Sequence, residues 1–323
     1  LVAGITMFYT FFGGFMGASY TDMVQGLLML AALIAVPIVA ITNMGGLDHV
    51  TDAVANVRPD ALGLFAGTTF IGIASALAWG LGYFGQPHII VRFMALRTPE
   101  DAKAGRRIGM SWMLLTVVGS ISTAFVGVAY FATHPEVSLT DKESAETVFL
   151  DLAQILFHPF IAGMILAAVL AAIMSTLSSQ LVVCSSALVE DLYGVFVKKK
   201  LSSNQSLWLG RAGVAIVAVI ATLMALDKNN SILSLVEFAW AGFGSAFGPI
   251  VILSLYWRKL TLPGAVSGMV VGAVVTFFWR QVFNLTETID VYEMIPGFFL
   301  AFLVTVVVSL ATYEKNEEIE QEF

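Results

Sequence analysis

The sequence predicts an all-α polytopic membrane protein, and three observations carry that prediction. Apolar residues make up 58% of the 323 positions and charged residues only 12%, roughly half the charged share of an ordinary soluble domain. The 16 Lys and Arg and the 23 Asp and Glu are clustered, leaving long uncharged runs between them. Those runs reach the ~20 residues with which an α-helix crosses a hydrocarbon core of about 30 Å. Such a composition excludes a disordered chain, a nucleic-acid binder and most soluble enzymes.

Nine stretches have spanning length: residues 1–18, 20–42, 64–90, 108–132, 159–188, 207–227, 231–257, 264–282 and 292–312. Only Ala18-Ser19-Tyr20-Thr21 separates the first two, hardly a loop. Segment 43–63 is polar, contains Asp48, Asp52 and Asp60, and reads as an external connection. Segment 133–158 is framed by Pro135 and Pro159 and has helical spacing at Val148, Leu152, Ile155 and Leu156. That pattern predicts an amphipathic external helix, either lying over a vestibule or simply connecting two spans. The transmembrane domain therefore takes residues 1–313, and residues 314–323, with five Glu, form an acidic cytoplasmic tail.

Basic residues orient the bundle. Loop 91–107 carries Arg92, Arg97, Lys103, Arg106 and Arg107; loop 189–206 carries Lys198, Lys199 and Lys200; Arg258, Lys259, Arg211 and Lys315 fall on the same side. Arg58, Lys142, Lys228 and Arg280 fall on the other, twelve against four. The N-terminal end of the chain is expected outside and the tail inside. The net charge of −7 mostly reflects an acidic loop and that tail. The chain starts Leu1-Val2-Ala3 within an apolar run, without a methionine, and reads as a C-terminal fragment whose upstream helices are missing.

Four places depart from what a lipid-facing helix contains. In Trp79-Gly80-Leu81-Gly82-Tyr83-Phe84-Gly85-Gln86-Pro87-His88, three glycines and a proline weaken an apolar span. Broken helices are tolerated at membrane depth where they are buried in protein or line a cavity, and in transporters they point to binding sites. A glycine-rich packing interface is the alternative. Trp79 and Tyr83, four apart, share a face before the break.

The second place is Ala172 to Gln180, where Ser175, Thr176, Ser178 and Ser179 put four hydroxyls in five positions. Hydroxyl and carbonyl oxygens suit a desolvated hard cation, although serines also bond back to their own helix's carbonyls. The third is Asp22, near the start of the second span. A carboxylate at membrane depth needs a partner or water, whereas one at a helix start is favoured by the macrodipole. Glu237 raises the same question and, two turns from the outer end, reads as solvated. The fourth is Trp240 to Pro249, whose small residues allow close packing or a hinge.

Soluble-enzyme chemistry finds no support. His49, His88, His134 and His158 are scattered without metal spacing, and Cys184 is alone in an apolar run. No glycine loop with a lysine is present for a nucleotide, and no organic cofactor or obligate protein partner is expected.

On the runs WGLGYFGQPHIIVR (Trp79 to Arg92), AAIMSTLSSQ (Ala171 to Gln180), EDLY (Glu190 to Tyr193) and AWAGFGSAFGP (Ala239 to Pro249), the chain resembles the sodium:solute symporter family, in its bacterial proline branch. The resemblance extends over the whole sequence. It implies a LeuT-type inverted-repeat fold, incomplete here, with spans one to seven as core helices 4–10 followed by two peripheral helices. It implies that Ser175 and Thr176, with the Ala172 carbonyl, hold the principal sodium ion, together with carbonyls of core helix 1. Asp22, Ser178 and Ser179 match positions that bind a second sodium in some relatives. Trp79, Tyr83 and Pro87 match positions implicated in proline binding, while Glu237 matches no such position.

The expectation is a sodium-coupled secondary transporter, not an enzyme. It would import L-proline by alternating access across the bacterial inner membrane, with sodium as coupling ion and the bilayer as its surroundings. The alternatives are a sodium symporter for another amino acid or an osmolyte, or an inactive gene fragment. A membrane sensor, another use of this fold, is disfavoured because the chain ends about ten residues beyond its last span, with no kinase-like segment.

Overall fold

The computed structural model describes residues 2–134, 145–192, 202–225 and 232–315. The lysines at 198–200, Tyr193, Lys142, Lys228, Pro135 and the end of the acidic tail lie outside them. Among the described residues every regular element is helical. The main elements are α1 (Val2–Asn43), α2 (Leu47–Val57), α3 (Phe70–Gly82), α4 (Pro87–Met94), α5 (Pro99–Thr133) and α6 (Val148–Leu156). They continue with α7 (Pro159–Ser186), α8 (Ser203–Met224), α9 (Ile232–Tyr256), α10 (Leu262–Phe277), α11 (Leu285–Ile289) and α12 (Met294–Ala311).

Seven of the described helices are long and apolar enough to cross a membrane, against nine stretches expected. The first difference lies in α1, which holds the first two expected spans as two helices joined across a kink, with the boundary earlier than residues 18–21. Ala18-Ser19-Tyr20-Thr21 is helical because its hydroxyls bond back one turn: Ser19 Oγ donates to the Phe15 carbonyl at 2.9 Å and Thr21 Oγ1 to that of Gly17 at 3.0 Å. The discontinuity sits at Gly14 instead, with φ 52° and ψ −148°, a left-handed conformation open to glycine. Three residues earlier, the Phe11 carbonyl accepts from Arg211 Nε of α8 at 3.2 Å. The Arg211 guanidinium lies 5.0–5.5 Å from the ring centroids of Phe11, Phe12 and Trp208. The second difference is the 64–90 stretch, whose apolar helix Phe70–Gly85 falls short of spanning length.

The chain divides into two compact units, Leu1–Gly67 with Leu96–Met224, and Thr68–Ala95 with Ala225–Phe323. In the first, the C-terminal part of α1 packs on α5 through Ala32, Val36, Val126, Ala129 and Tyr130. Segment 43–63, read as a polar connection, holds the amphipathic helix α2. Its Val50 and Val54 are buried against Ala40 and Ala129. Helix α6 meets the predicted spacing at three of four positions: Leu152 is fully buried in the same core as Tyr130, Ile165 and Ala168, Val148 and Leu156 pack against it, and Ile155 is exposed.

In the second unit, α9, α10 and α12 approach through small residues, as membrane helices do when apolar burial gives no drive to associate. A Cβ on Gly268 would run into the Thr305 hydroxyl, one on Gly264 into that of Ser309, and one on Gly272 into the backbone carbonyl of Ser245. Gly272→Ala is expected to destabilise the protein by about 1–3 kcal/mol, because a backbone carbonyl cannot turn aside. Gly105→Ala, whose Cβ meets open space, is the control. Thermal unfolding of the two purified variants checks this; equal midpoints would refute it.

Candidate functional site

The first unit carries the hydroxyl cluster. Helix α7 begins with Pro159 at its first turn, and the His158 ring accepts from the Phe160 amide at 3.3 Å. Ser175 follows sixteen residues later, about 24 Å along the axis at 1.5 Å per residue. Ser175 Oγ and Thr176 Oγ1 both donate to the Ala172 carbonyl, at 2.9 and 3.2 Å. Three oxygens of one turn are thereby gathered without any ion pair. Thr176 is exposed and Ser175 half-buried.

One turn on, Ser178 and Ser179 donate to the Ser175 carbonyl at 3.0 and 2.9 Å. Ser178 is fully buried. Ser179 Oγ also lies 3.4 Å from Asp22 Oδ2, so the structure brings Asp22 to Ser179. Asp22 is in mid-helix, eight residues past Gly14, and the macrodipole fades within the first turn. The reading of Asp22 as a helix-start acid is therefore set aside. Tyr9 fastens α1 to the same stretch, its hydroxyl donating to the Met174 carbonyl at 3.1 Å. Among the described residues no group of three or more His, Cys, Asp or Glu side chains could hold a metal ion. The oxygens here are neutral apart from Asp22, a donor set that suits a weakly held monovalent cation better than a divalent one.

The second unit carries the broken helix. Helix α3 ends at Gly82, a single 3-10 turn covers Tyr83–Gly85, Gln86 is extended (φ −82°, ψ 113°), and Pro87 opens α4. Proline suits that first helical position because its missing N–H would be unpaired there anyway. The break is packed by α9: a Cβ on Gly82 would strike the Trp240 indole and one on Gly85 the Phe243 carbonyl. Gln86, 3% exposed, donates from Nε2 to the Trp240 carbonyl at 3.2 Å.

Trp79 and Tyr83 have a neighbour in common, Trp240. The Trp79 indole stacks near-parallel on Trp240 (6.2 Å, 27°) and on Tyr292 (5.7 Å, 14°), and Tyr83 meets Trp240 edge-on at 4.9 Å. Trp240 Nε1 donates to the Trp79 carbonyl at 3.0 Å. Tyr83 remains 43% exposed, so it is the more open of the two rings. Pro87 acts on the backbone, fixing where α4 begins.

Glu237, read as solvated, has a side chain 32% exposed that lies 3.6 Å from Arg280 Nη1. Arg280 pairs more closely with the fully buried Glu293, at 2.7 Å, whose other carboxylate oxygen accepts from Thr286 at 2.9 Å.

Gln86, Trp240 and Tyr292 were not singled out from sequence as site residues. Trp240 heads a small-residue run and Gln86 sits inside the glycine–proline run, so both had a local signal. Tyr292 had none, since its partner Trp79 is more than 200 residues away in the chain.

Residues 1–272 match the sodium:solute symporter family. The chain is 47% identical, over its whole length, to the high-affinity proline transporter PutP of Bacillus subtilis (strain 168), of which it covers 67%. It is 49% identical over 97% of its length to the osmoregulated proline transporter OpuE of the same organism, covering 62% of it. It is 43% identical over 99% of its length to the sodium/proline symporter of Escherichia coli (strain K12), covering 63%. The chain thus spans about two thirds of the length of these curated relatives. Among solved structures, the substrate-bound outward-open state of a Na+-coupled sialic acid symporter aligns with 98% of the chain and 66% of its own, at TM-score 0.75 and 18% identity. That likeness establishes the LeuT-type fold. With the family match covering most of its residues, the chain belongs to the sodium:solute symporter family.

Proposed function

We propose that the protein to which this chain contributes imports L-proline together with sodium by alternating access, in the bacterial plasma membrane. The observation that carries the reading is the turn at Ala172–Thr176, where two hydroxyls and a carbonyl gather in mid-helix. Relatives 43–49% identical to this chain over nearly its whole length bear the names of proline transporters. On this reading Ser175, Thr176 and the Ala172 carbonyl bind the coupling sodium, and Asp22 with Ser178 and Ser179 offers a second cation position. Trp79, Tyr83 and Pro87 form the wall that receives proline, the exposed Tyr83 ring covering the apolar pyrrolidine. Sodium that strengthens proline binding must be bound more tightly by the same factor when proline is present. The N-terminal end of the chain then faces outward and its acidic tail the cytoplasm.

The test is uptake of labelled proline by the full-length protein in proteoliposomes. An inward sodium gradient should drive accumulation, and an ionophore that collapses the gradient should abolish it. Accumulation that persists without the gradient would overturn the coupling. Another amino acid or an osmolyte that displaces proline at much lower concentration would replace the assigned substrate.

A further inference from the structure

Trp79 is the residue of the broken helix that stacks on two other rings, and one of those two partners comes from the segment leading into the last helix. That segment is built with some strain. The short helix α11 is flanked by Asn284 and Asp290 in left-handed backbone conformations, φ 47° and 56°, tolerated mainly by short polar residues. Beyond it, Tyr292 is 6% exposed and fixed at both ends. Its amide donates to Ser75 Oγ at 3.1 Å and its hydroxyl to the Glu237 carbonyl at 2.9 Å.

Ser75 and Trp79 are one turn apart on α3, so a single face of that helix grips both the backbone and the ring of Tyr292. The next residue, Glu293, is held by Arg280 and Thr286, which leaves the segment little freedom to slide.

We propose that Tyr292 is a positioning residue for substrate recognition. It fixes the plane of the Trp79 indole, and through Trp240 the setting of Tyr83, without touching the solute. The inference rests on the reading of Trp79 and Tyr83 as the proline-binding wall and extends that wall's support to the segment that leads into α12.

Two variants of the full-length protein test it. Tyr292→Leu keeps apolar volume but removes the ring; Tyr292→Phe keeps the ring and loses only the hydroxyl. Loss of a stacked aromatic pair predicts a proline KM raised about three- to tenfold in Tyr292→Leu. The maximal rate per folded transporter and the sodium dependence should stay within about twofold of the parent, and Tyr292→Phe should restore the KM to within about twofold. A merely structural tyrosine would lower the amount of folded protein and the maximal rate while leaving KM alone, and that result overturns the proposal. So does a Tyr292→Phe variant no better than Tyr292→Leu. The unmodified protein, run alongside, separates the two layers. If it shows no sodium-driven proline uptake, the proline reading itself falls. If it transports proline normally and Tyr292→Leu has its KM, only the positioning role falls.

Discussion

Thr176→Ala, made in the full-length protein, raises the sodium concentration for half-maximal proline uptake by about ten- to a hundredfold, and Ser175→Ala does the same. The magnitude follows from losing one neutral oxygen on a cation, worth about 1.5–3 kcal/mol. In the structure each of these hydroxyls donates to the Ala172 carbonyl. Removing one takes away a candidate ligand without stranding a buried partner, because that carbonyl still has the other hydroxyl. The fold should therefore survive both substitutions, and the effect should appear in the sodium dependence rather than in protein yield. Thr176→Ser, which keeps the oxygen, separates ligand loss from loss of bulk and should stay close to the parent. An unchanged sodium requirement in either alanine variant would sink the assignment of this turn as the ion site.

The second large effect is structural. Arg280→Met leaves Glu293, fully buried, with Thr286 but without its cation. Breaking a buried pair by removing one partner costs about 3–5 kcal/mol. The lower end of that range applies, since the Arg280 side chain is itself 17% exposed and water can reach part of it. A loss of about 3 kcal/mol corresponds to a fall on the order of 4 °C in the thermal unfolding midpoint of a chain this long. Replacing both partners, Arg280→Met with Glu293→Leu, should recover most of the loss, because the penalty comes from the orphaned charge rather than from the missing bond. A midpoint that does not move in Arg280→Met, or a double variant worse than the single, would show that the pair does not anchor the segment before α12.

These two sites differ in how far they could be read in advance. The hydroxyl cluster was legible because four hydroxyls in five positions of an apolar helix stand out against their surroundings. The break after Trp79 was legible because Gly80, Gly82, Gly85 and Pro87 each oppose helix for a stated physical reason. Spanning helices were legible from hydropathy, which is a property of a window and needs no partner.

What was missed depends on partners or on period. Helix α2 escaped because its apolar positions Leu47, Val50, Val54 and Val57 recur at helical spacing within a polar segment; hydropathy averages that signal away, while a periodicity count would have kept it. The continuity of α1 across Ala18–Thr21 escaped because Ser and Thr look like turn residues until their hydroxyls find carbonyls one turn back. The ties of Tyr292 to Trp79 and of Arg280 to Glu237 and Glu293 escaped because tertiary contacts choose among many equally plausible residues. Asp22 fell between these cases: its chemistry was visible, its depth in the helix was not.

The bend at Gly14 has a further bearing on Arg211. By charge counting that arginine belongs with the residues that anchor a loop to the cytoplasm. In the folded protein it works as a splint: it takes up the Phe11 carbonyl beside a discontinuity where a helical ladder loses regular partners. The arginine and the glycine are thus tied together. A version of α1 straightened at residue 14 would draw the Phe11 carbonyl back into its own helix and away from the Arg211 guanidinium. The same cation that disfavours a straight helix rewards a broken one, so the elbow in α1 is maintained by a residue nearly 200 positions away.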